Sequence, residues 1–293
     1  MTEVIEQTVT TLDDESLFLR VFPCDSGPFV LVIHGLSEHG GRYQHFCEFL
    51  QKNGVGCASL DLRGHGKSSG LRGYFNSVQT VIDDFDLVIT RLEEFRGKRP
   101  LFVFAHSLAG MLMSYYIAKN FNFENRSPFT GVILSSPGFK DKLEVPAILL
   151  MILPLASALF PKFRTPVKLS LDLVSRNPEI ESKILADPLY YKGGIAARSG
   201  FVFKKMQTEL PKIAADFCDP VLCNLAAEDA IISSSGAKEL FELFGSADKE
   251  VVEYPEAYHE LVNEPNHQQI FNDVLAWIQQ RYRESQIVLD DDD

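Results

Sequence analysis

The sequence predicts an α/β fold in which a mostly parallel sheet carries helices on both faces and a helical cap is inserted between two strands. Three observations lead to this fold. Short apolar runs alternate with segments of helical spacing along most of the chain. The runs are apolar at every position, which is typical of parallel strands buried on both faces. The alternation stops between Pro137 and Pro211, where helical fragments and prolines occur without a convincing strand.

The elements before this interruption begin with a strand at Phe29–Ile33 and a helix at Tyr43–Lys52. That helix ends at Asn53-Gly54, a common C-terminal stop signal. From Val78 onward, apolar residues recur every three or four positions with acidic residues between them, which predicts a second helix. Three more strands are predicted at Val55–Leu60, Leu101–Phe104 and Gly131–Ser135.

Two further strands and a closing helix follow the interruption, at Pro220–Leu225, Glu250–Tyr254 and Gln268–Arg281. We therefore assign residues 1–137 and 212–285 to one core and residues 138–211 to a helical cap. Residues 286–293 end in four aspartates, and we expect them to form a disordered acidic tail.

The composition of the 293-residue chain excludes several classes of function. A formal net charge of −12 argues against nucleic acid as a partner. The five cysteines are scattered and include no C-x-x-C pair, which favours a reduced, cytoplasmic setting. The first residues lack the basic and apolar regions of a secretory signal. The composition says nothing about oligomeric state.

A candidate nucleophile follows the third central strand directly. Ser107 stands between the apolar run that ends at His106 and a helical segment, Leu108–Lys119. A strand, a serine and a helix without an intervening loop are typical of a nucleophile elbow. Small residues, Ala105 and Ala109, occupy the flanking positions at which glycine is usual. An alternative is that Ser107 only caps the helix.

A serine hydroxyl needs a base, commonly a histidine that is held by a carboxylate. On this fold the chain order should be serine, acid, histidine, each at the carboxyl end of a strand. Asp229 and His259 follow the last two strands in this order, so we predict Ser107, Asp229 and His259 as a catalytic triad. Glu228 and His267 remain as alternatives for the acid and the base.

Two backbone N–H groups are also expected to bind the negatively charged oxygen of a tetrahedral intermediate. Leu108 directly follows the nucleophile at a helix N-terminus, and Leu36 lies in the loop after the first central strand. Gly35 allows that loop to approach the site closely. We predict Leu36 and Leu108 as the two donors of this oxyanion hole.

Four histidines lie close together in the sequence, at His34, His39, His45 and His65. Their spacing matches no known pattern of metal ligands, so we expect no metal site and no cofactor. We interpret His34 and His65 as residues that order their loops.

The stretch Val145–Pro161 contains no charged residue. It is shorter than the roughly 20 residues that a spanning helix needs, and its prolines are expected to break it up. It is either a buried helix or an apolar cap that covers a lipid pocket or touches a membrane surface. In the second interpretation its larger side chains bind the substrate, and the predicted residues are Ile148, Ile152, Leu155 and Leu159.

The motifs together resemble those of the monoacylglycerol lipase and lysophospholipase-like α/β-hydrolases. The matching runs are His34–Tyr43, Asp61–Ser68, His106–Leu108, Asp187–Leu189, Glu228–Asp229 and Tyr258–Glu264. The resemblance implies an α/β-hydrolase fold, no cofactor and a serine esterase or lipase that acts on single-chain acyl lipids. By motif position it also implies the triad and oxyanion residues given above. The sequence departs from the family pattern at Ala105 and Ala109, whose methyl groups could misplace Ser107.

Other functions of the same fold stay open at this point. An aminopeptidase needs acidic residues in the cap to bind a free amino group, and the cap offers Glu179, Glu181, Asp187 and Glu209. A thioesterase uses the same triad. The third alternative is a binding protein that keeps the fold and has lost turnover. The sequence does not distinguish the head group or the acyl-chain length of a lipid substrate.

Overall fold

The computed structural model describes residues 3–142, 147–164 and 170–291. Its centre is an eight-stranded sheet with the order β1-β2-β4-β3-β5-β6-β7-β8. The first two strands pair antiparallel with their neighbours, and all other pairs are parallel. The strands are β1 Ile5–Thr10, β2 Ser16–Phe22, β3 Phe29–Ile33, β4 Gly56–Asp61, β5 Leu101–His106, β6 Gly131–Ser135, β7 Val221–Ala226 and β8 Lys249–Tyr254. The predicted parallel sheet is confirmed.

Helices cover both faces of this sheet and fill the connection between β6 and β7. Among the described residues they are α1 Gln44–Lys52, α2 Val78–Arg96, α3 Leu108–Asn120, α4 Ala147–Leu159, α5 Pro178–Ala186, α6 Ala197–Ile213, α7 Ser234–Glu242 and α8 His267–Asp291. Helices α4 to α6 lie between β6 and β7, where the sequence predicts a cap. Helix α6 runs two residues beyond the predicted cap boundary at residue 211.

The central strand β5 shows how the sheet is buried on both sides. Phe102 and Phe104 point to one face and pack in a core that includes residues of α1 and α8. Val103 and Ala105 point to the other face and pack with residues of α2 and α3. Every residue of β5 is buried, as the uniformly apolar pattern predicts. The strand therefore holds a fixed position for the residue that follows it, Ser107.

The antiparallel strands β1 and β2 are not predicted from the sequence. Strand β1 lies at the edge of the sheet and has a largely exposed, polar sequence, so it lacks the apolar run by which strands were recognised. Strand β2 is almost fully buried, and its register with β4 pairs Phe22 with Cys57. Its pairing with a distant strand, rather than a local pattern, fixes its place in the sheet.

Two helices differ from the predictions. Helix α4 continues through Pro154, which removes one helical N–H donor without ending the helix. Helix α8 continues to Asp291, beyond the predicted end at Arg281 and into the residues from 286 that we expected to form an acidic tail. No glycine or proline interrupts the sequence from Tyr282 to Asp291. Residues 292–293 lie outside the described residues. Within the described part of the chain, every helix is too short or too polar to cross a bilayer.

Candidate active site

Ser107 occupies a strained turn between β5 and α3. Its backbone has φ 52° and ψ −118°, a conformation that non-glycine residues rarely adopt. Backbone hydrogen bonds hold the turn on both sides: Ser107 N–H donates to Ser135 O at 2.9 Å, and Gly138 N–H donates to Ser107 O at 2.8 Å. The turn places the Ser107 side chain beyond the carboxyl end of β5, as an elbow requires.

The two alanines that flank the turn are fully buried in the core on the α2 and α3 face. The turn retains its positive φ with a methyl group at both positions. The tightest packing against a neighbouring segment is at Gly110, one residue after Ala109. A Cβ atom on Gly110 would lie 2.8 Å from Pro137 Cβ, so glycine is needed at 110. The packing accommodates Ala105 and Ala109.

His259 lies between Ser107 and Asp229. His259 Nε2 is 2.8 Å from Ser107 Oγ, and His259 Nδ1 is 2.7 Å from Asp229 Oδ2. Asp229 follows β7 and accepts two further hydrogen bonds at Oδ1, from the N–H groups of Ile231 and Ile232, both at 2.8 Å. Asp229 and His259 are buried. Three residues that are far apart in the sequence thus form one hydrogen-bonded series.

The two alternatives for the acid and the base lie elsewhere. Glu228 is exposed, and its backbone N–H bonds to Ala257 O. His267 lies at the start of α8 with its ring against His45 and Phe271. The local sequence could not separate these neighbours, because the choice depends on which side chain points toward Ser107.

Burial and charge act in opposite directions on the pKa values of this series. Burial disfavours the charged form of Asp229, but attraction to His259 and the hydrogen bonds it accepts hold its pKa below the ordinary value. Burial also lowers the pKa of His259, but Asp229, Glu260 and Glu38 outweigh this effect and raise it. Asp229 is therefore ionised at neutral pH, and the imidazolium of His259 is stabilised.

The two predicted oxyanion donors belong to segments that adjoin Ser107. Leu108 is the first residue of α3, where N–H groups have no intrahelical acceptor. Leu36 follows Gly35, whose backbone packs against the serine: a Cβ atom on Gly35 would lie 3.0 Å from Ser107 Cβ. Neither Leu36 N–H nor Leu108 N–H donates to another protein atom of the described ranges. Both groups remain available to a bound oxygen.

A buried charged network beneath this loop was not predicted as part of the site. Glu38 accepts hydrogen bonds from Gly35 N–H at 2.6 Å and from Tyr43 OH at 2.9 Å. Arg42 forms ion pairs with Glu38 and with Glu260, which directly follows His259. The network joins the Leu36 loop to the His259 loop. The run His34–Tyr43 contains Glu38 and Arg42, but nothing local indicates a partner 218 residues away.

The four clustered histidines do not meet at one point. The rings of His34 and His65 are neighbours, with centroids 5.3 Å apart. His39 Nε2 bonds to Asp187 Oδ2 in the segment after α5, and His45 Nε2 contacts Val262 O. A second bond, from Tyr191 N–H to Ser37 O at 2.7 Å, also fastens the segment after α5 to the Leu36 loop.

The predicted substrate-binding side chains lie on the exposed side of α4. The exposed fractions are 61% for Ile148, 46% for Ile152, 61% for Leu155 and 62% for Leu159. Other large apolar residues of this segment are also exposed, including Met151, Phe160 and Phe163. The alternative of a buried helix is therefore wrong for this side of α4. Val145 and Pro146 lie outside the described residues.

Known proteins similar to this chain are hydrolases. The model of a hydrolase family described as serine aminopeptidase, S33, matches residues 26–266. A monoacylglycerol lipase of Mycolicibacterium smegmatis is 29% identical over 85% of this chain and 87% of its own length. The phospholipase YtpA of Bacillus subtilis is 27% identical over 86% of this chain and 95% of its own length.

Solved structures show the same overall arrangement. The monoacylglycerol lipase of Paleococcus ferrophilus has a TM-score of 0.79 and 27% identity, covering 96% of this chain and 100% of that one. A soluble variant of the monoglyceride lipase of Saccharomyces cerevisiae, solved with a substrate analog, has a TM-score of 0.83. Its identity is 23%, with 96% of each chain covered, so this second likeness concerns the fold alone.

Proposed function

Since this chain belongs to the serine aminopeptidase S33 family of α/β-hydrolases, we propose that it hydrolyses the ester bond of single-chain acyl lipids, monoacylglycerols or lysophospholipids. The observation that carries the proposal is the hydrogen-bonded series of Ser107, His259 and Asp229 at the edge of the sheet. The relatives named as a monoacylglycerol lipase and a phospholipase support the choice of an acyl ester.

In the proposed reaction, His259 Nε2 takes the proton of the Ser107 hydroxyl while Oγ attacks the ester carbonyl carbon. The tetrahedral intermediate carries a negative oxygen, which accepts hydrogen bonds from Leu36 N–H and Leu108 N–H. His259 then gives its proton to the leaving alcohol, and the acyl group stays on Ser107. Water, activated by His259, attacks this acyl-enzyme and releases the fatty acid and the free serine.

Asp229 orients the imidazole in this mechanism. Its carboxylate binds Nδ1–H and so leaves the Nε2 lone pair directed at Ser107. The two backbone N–H groups that bind Oδ1 fix the carboxylate itself. The positive charge that His259 gains during the reaction is stabilised by the same contact.

We propose that α4 binds the acyl chain of the substrate. The exposed apolar side chains Ile148, Ile152, Leu155 and Leu159 offer a surface for a chain that leaves a membrane or micelle. We propose that residues 138–211 act as a cap, and that α4 touches the lipid surface transiently. The chain carries a formal charge of −12, so this contact is apolar rather than an attraction to anionic lipid.

An aminopeptidase activity is the second candidate, because the family description names one. Such an enzyme needs a carboxylate that is free to bind the substrate amine. Three of the predicted cap carboxylates have partners of their own: Lys183 binds Glu179, His39 binds Asp187 and Tyr115 binds Glu209. The fourth, Glu181, is exposed in the first turn of α5 and is the carboxylate that an amine substrate would have to use. The contacts of the other three favour the lipid ester over the peptide.

The test compares monoacylglycerols of increasing chain length with lysophosphatidylcholine and with alanine and proline anilides. We expect the esters to be hydrolysed faster than the anilides, and a fluorophosphonate to label the protein. Ser107→Ala should abolish both turnover and labelling. Negligible ester hydrolysis at every chain length would contradict the lipase proposal. Complete absence of labelling would indicate a binding protein without turnover.

A further inference from the structure

His34 is completely buried directly after β3, and its two ring nitrogens have different partners. Leu62 N–H donates to His34 Nε2 at 2.9 Å, and His34 Nδ1 lies 2.7 Å from Gly35 O. A backbone N–H can only donate, so Nε2 is the acceptor of the ring. The proton of the neutral ring is therefore on Nδ1, from which it is donated to Gly35 O.

Burial also keeps this ring neutral. Removal from water lowers the pKa of His34 well below its ordinary value, and His65 adds to this effect. A charged ring would carry a proton on Nε2 against the N–H of Leu62. The tautomer of His34 is thus fixed by its surroundings across the neutral pH range.

The bond from His34 sets the orientation of one peptide group. The described chain contains no cis peptide bond, and in a trans peptide the C=O and the following N–H point in opposite directions. With Gly35 O held toward His34, Leu36 N–H must point away from it. Gly35 N–H is held separately by Glu38 Oε1 at 2.6 Å, so the peptide groups on both sides of Gly35 are fixed.

We propose that His34 is a positioning residue that aims Leu36 N–H at the carbonyl oxygen of the substrate during attack by Ser107. The proposal rests on the proposed function, in which Leu36 is an oxyanion donor. Two observations support it beyond the ring contacts. Gly35 packs directly against Ser107, and Leu36 N–H donates to no other atom within the described part of the protein.

The proposal also gives a role to the second glycine-rich motif, Asp61–Ser68. Leu62 lies in this motif, one residue beyond the end of β4. Its N–H group decides which nitrogen of His34 carries the proton, and so decides whether Gly35 O receives a hydrogen bond. The motif therefore acts on the oxyanion loop through His34 and need not contact the substrate.

Three substitutions at His34 distinguish the effect of its Nδ1–H donor from the effect of its size. His34→Leu removes the donor. His34→Asn places an amide N–H where Nδ1–H lies and so can still bind Gly35 O. His34→Gln places its amide near the position of Nε2, out of reach of Gly35 O. We expect kcat on a monoacylglycerol to fall about ten- to a hundredfold in His34→Leu and His34→Gln, and to stay within about threefold of wild type in His34→Asn.

KM should change little in all three variants, because the oxyanion contact forms mainly in the transition state. A long-chain trifluoromethyl ketone, which forms an oxyanion on the serine, should lose affinity by the same factor as kcat/KM. Tyr116→Phe is the control: Tyr116 is also buried, and its hydroxyl donates to Asp86 on α2 and makes no contact with His34 or the oxyanion loop. It should keep wild-type kcat.

For each variant, fluorophosphonate titration gives the concentration of reactive Ser107, by which kcat is normalised. The melting temperature shows whether the variant is folded. If His34→Leu does not fold, the Asn and Gln variants still test the proposal, since both bury one amide. Wild-type kcat in His34→Gln, a loss confined to KM, or an equal loss in Tyr116→Phe would overturn it. A wild-type protein inert to both esters and fluorophosphonate would overturn the proposed function itself, and this proposal with it.

Discussion

Asp187 Oδ2 lies 2.7 Å from His39 Nε2 and joins two segments that are 148 residues apart in the sequence. Asp187 follows α5 in the inserted region, whereas His39 lies in the loop that carries Leu36. Together with the bond from Tyr191 N–H to Ser37 O, the contact fastens the insertion to the loop beside Ser107.

Removal of this contact should weaken the fold in a pH-dependent way. Burial opposes ionisation of Asp187, but the His39 contact and Leu189 N–H hold its pKa below the ordinary value. Its contribution to stability is therefore present at neutral pH and is lost as the pH falls through the lowered folded-state pKa. We expect Asp187→Ala to cost about 1 kcal/mol of unfolding free energy at pH 7 and progressively less as the pH is lowered through the acidic range, by denaturant titration. The same loss at every pH would contradict this assignment.

Asp229→Asn should lower kcat by about a thousandfold or more, because the amide no longer holds His259 in the productive tautomer. The substitution also removes the charge that raises the pKa of His259. Activity requires neutral His259, so the acid limb of the kcat/KM profile should move to lower pH in the variant. Glu228→Gln, at the exposed neighbour, is the control and should leave the profile unchanged. An unshifted acid limb in Asp229→Asn would argue against the pairing.

Gly35→Ala should lower kcat at least about tenfold, because the new methyl group would meet Ser107 Cβ and Glu38 Oε1 at 3.0 Å. Gly200→Ala in α6 is the control: its nearest contacts are at 3.8 Å, and alanine favours the helix. That variant should keep wild-type kcat and gain up to about 1 kcal/mol in stability. Steady-state kinetics and thermal unfolding of both variants test the prediction, and unchanged kcat in Gly35→Ala would refute it.

Substitution of Met151 and Phe160 by aspartate should weaken binding to neutral phosphatidylcholine vesicles. Both side chains are exposed on or directly after α4, at 76% and 65%. Loss of each apolar contact is worth about 1.5–3 kcal/mol when the side chain is fully buried in lipid, so the double variant should bind at least about tenfold more weakly. Leu12→Asp, exposed at 88% in the β1–β2 turn, is the matched control. If the double variant sedimented with vesicles to the same extent as the Leu12→Asp control, a contact through α4 would be excluded.

Ala109→Gly tests whether the usual glycine would improve the site. Ala109 is fully buried within α3, and the turn already forms with its methyl group in place. We expect a loss of about 1 kcal/mol in stability and less than a twofold change in kcat. A large rise in kcat would show that the methyl group misplaces Ser107.

The sheet and the three residues of the hydrogen-bonded series were accessible from the sequence for one physical reason. Parallel strands buried on both faces leave uniformly apolar runs, and the polar residues directly after them meet at one edge. Strand β1 left no such signal, because its edge position allows polar side chains. For α4 the sequence left two interpretations open, a buried helix and an exposed apolar cap, since apolar residues are usually buried.

The charged network required the folded structure. Arg42 and Glu260 lie far apart in the sequence, and each is an ordinary charged residue in its local context. His34 was recognised as a residue that orders its loop, but its two different nitrogen contacts depend on the approach of Leu62 from another strand end. Such pairings depend on the three-dimensional path of the chain.

The insertion leaves the sheet after β6 and returns before β7, and these two strands are direct neighbours, with Val132 paired to Val221. Because the two strands run parallel, the chain leaves β6 at the edge of the sheet where Ser107 lies and re-enters β7 at the opposite edge. The inserted residues therefore begin beside the reacting groups, and a change in length close to β6 would alter what surrounds the substrate without moving the strands that carry Ser107 and Asp229.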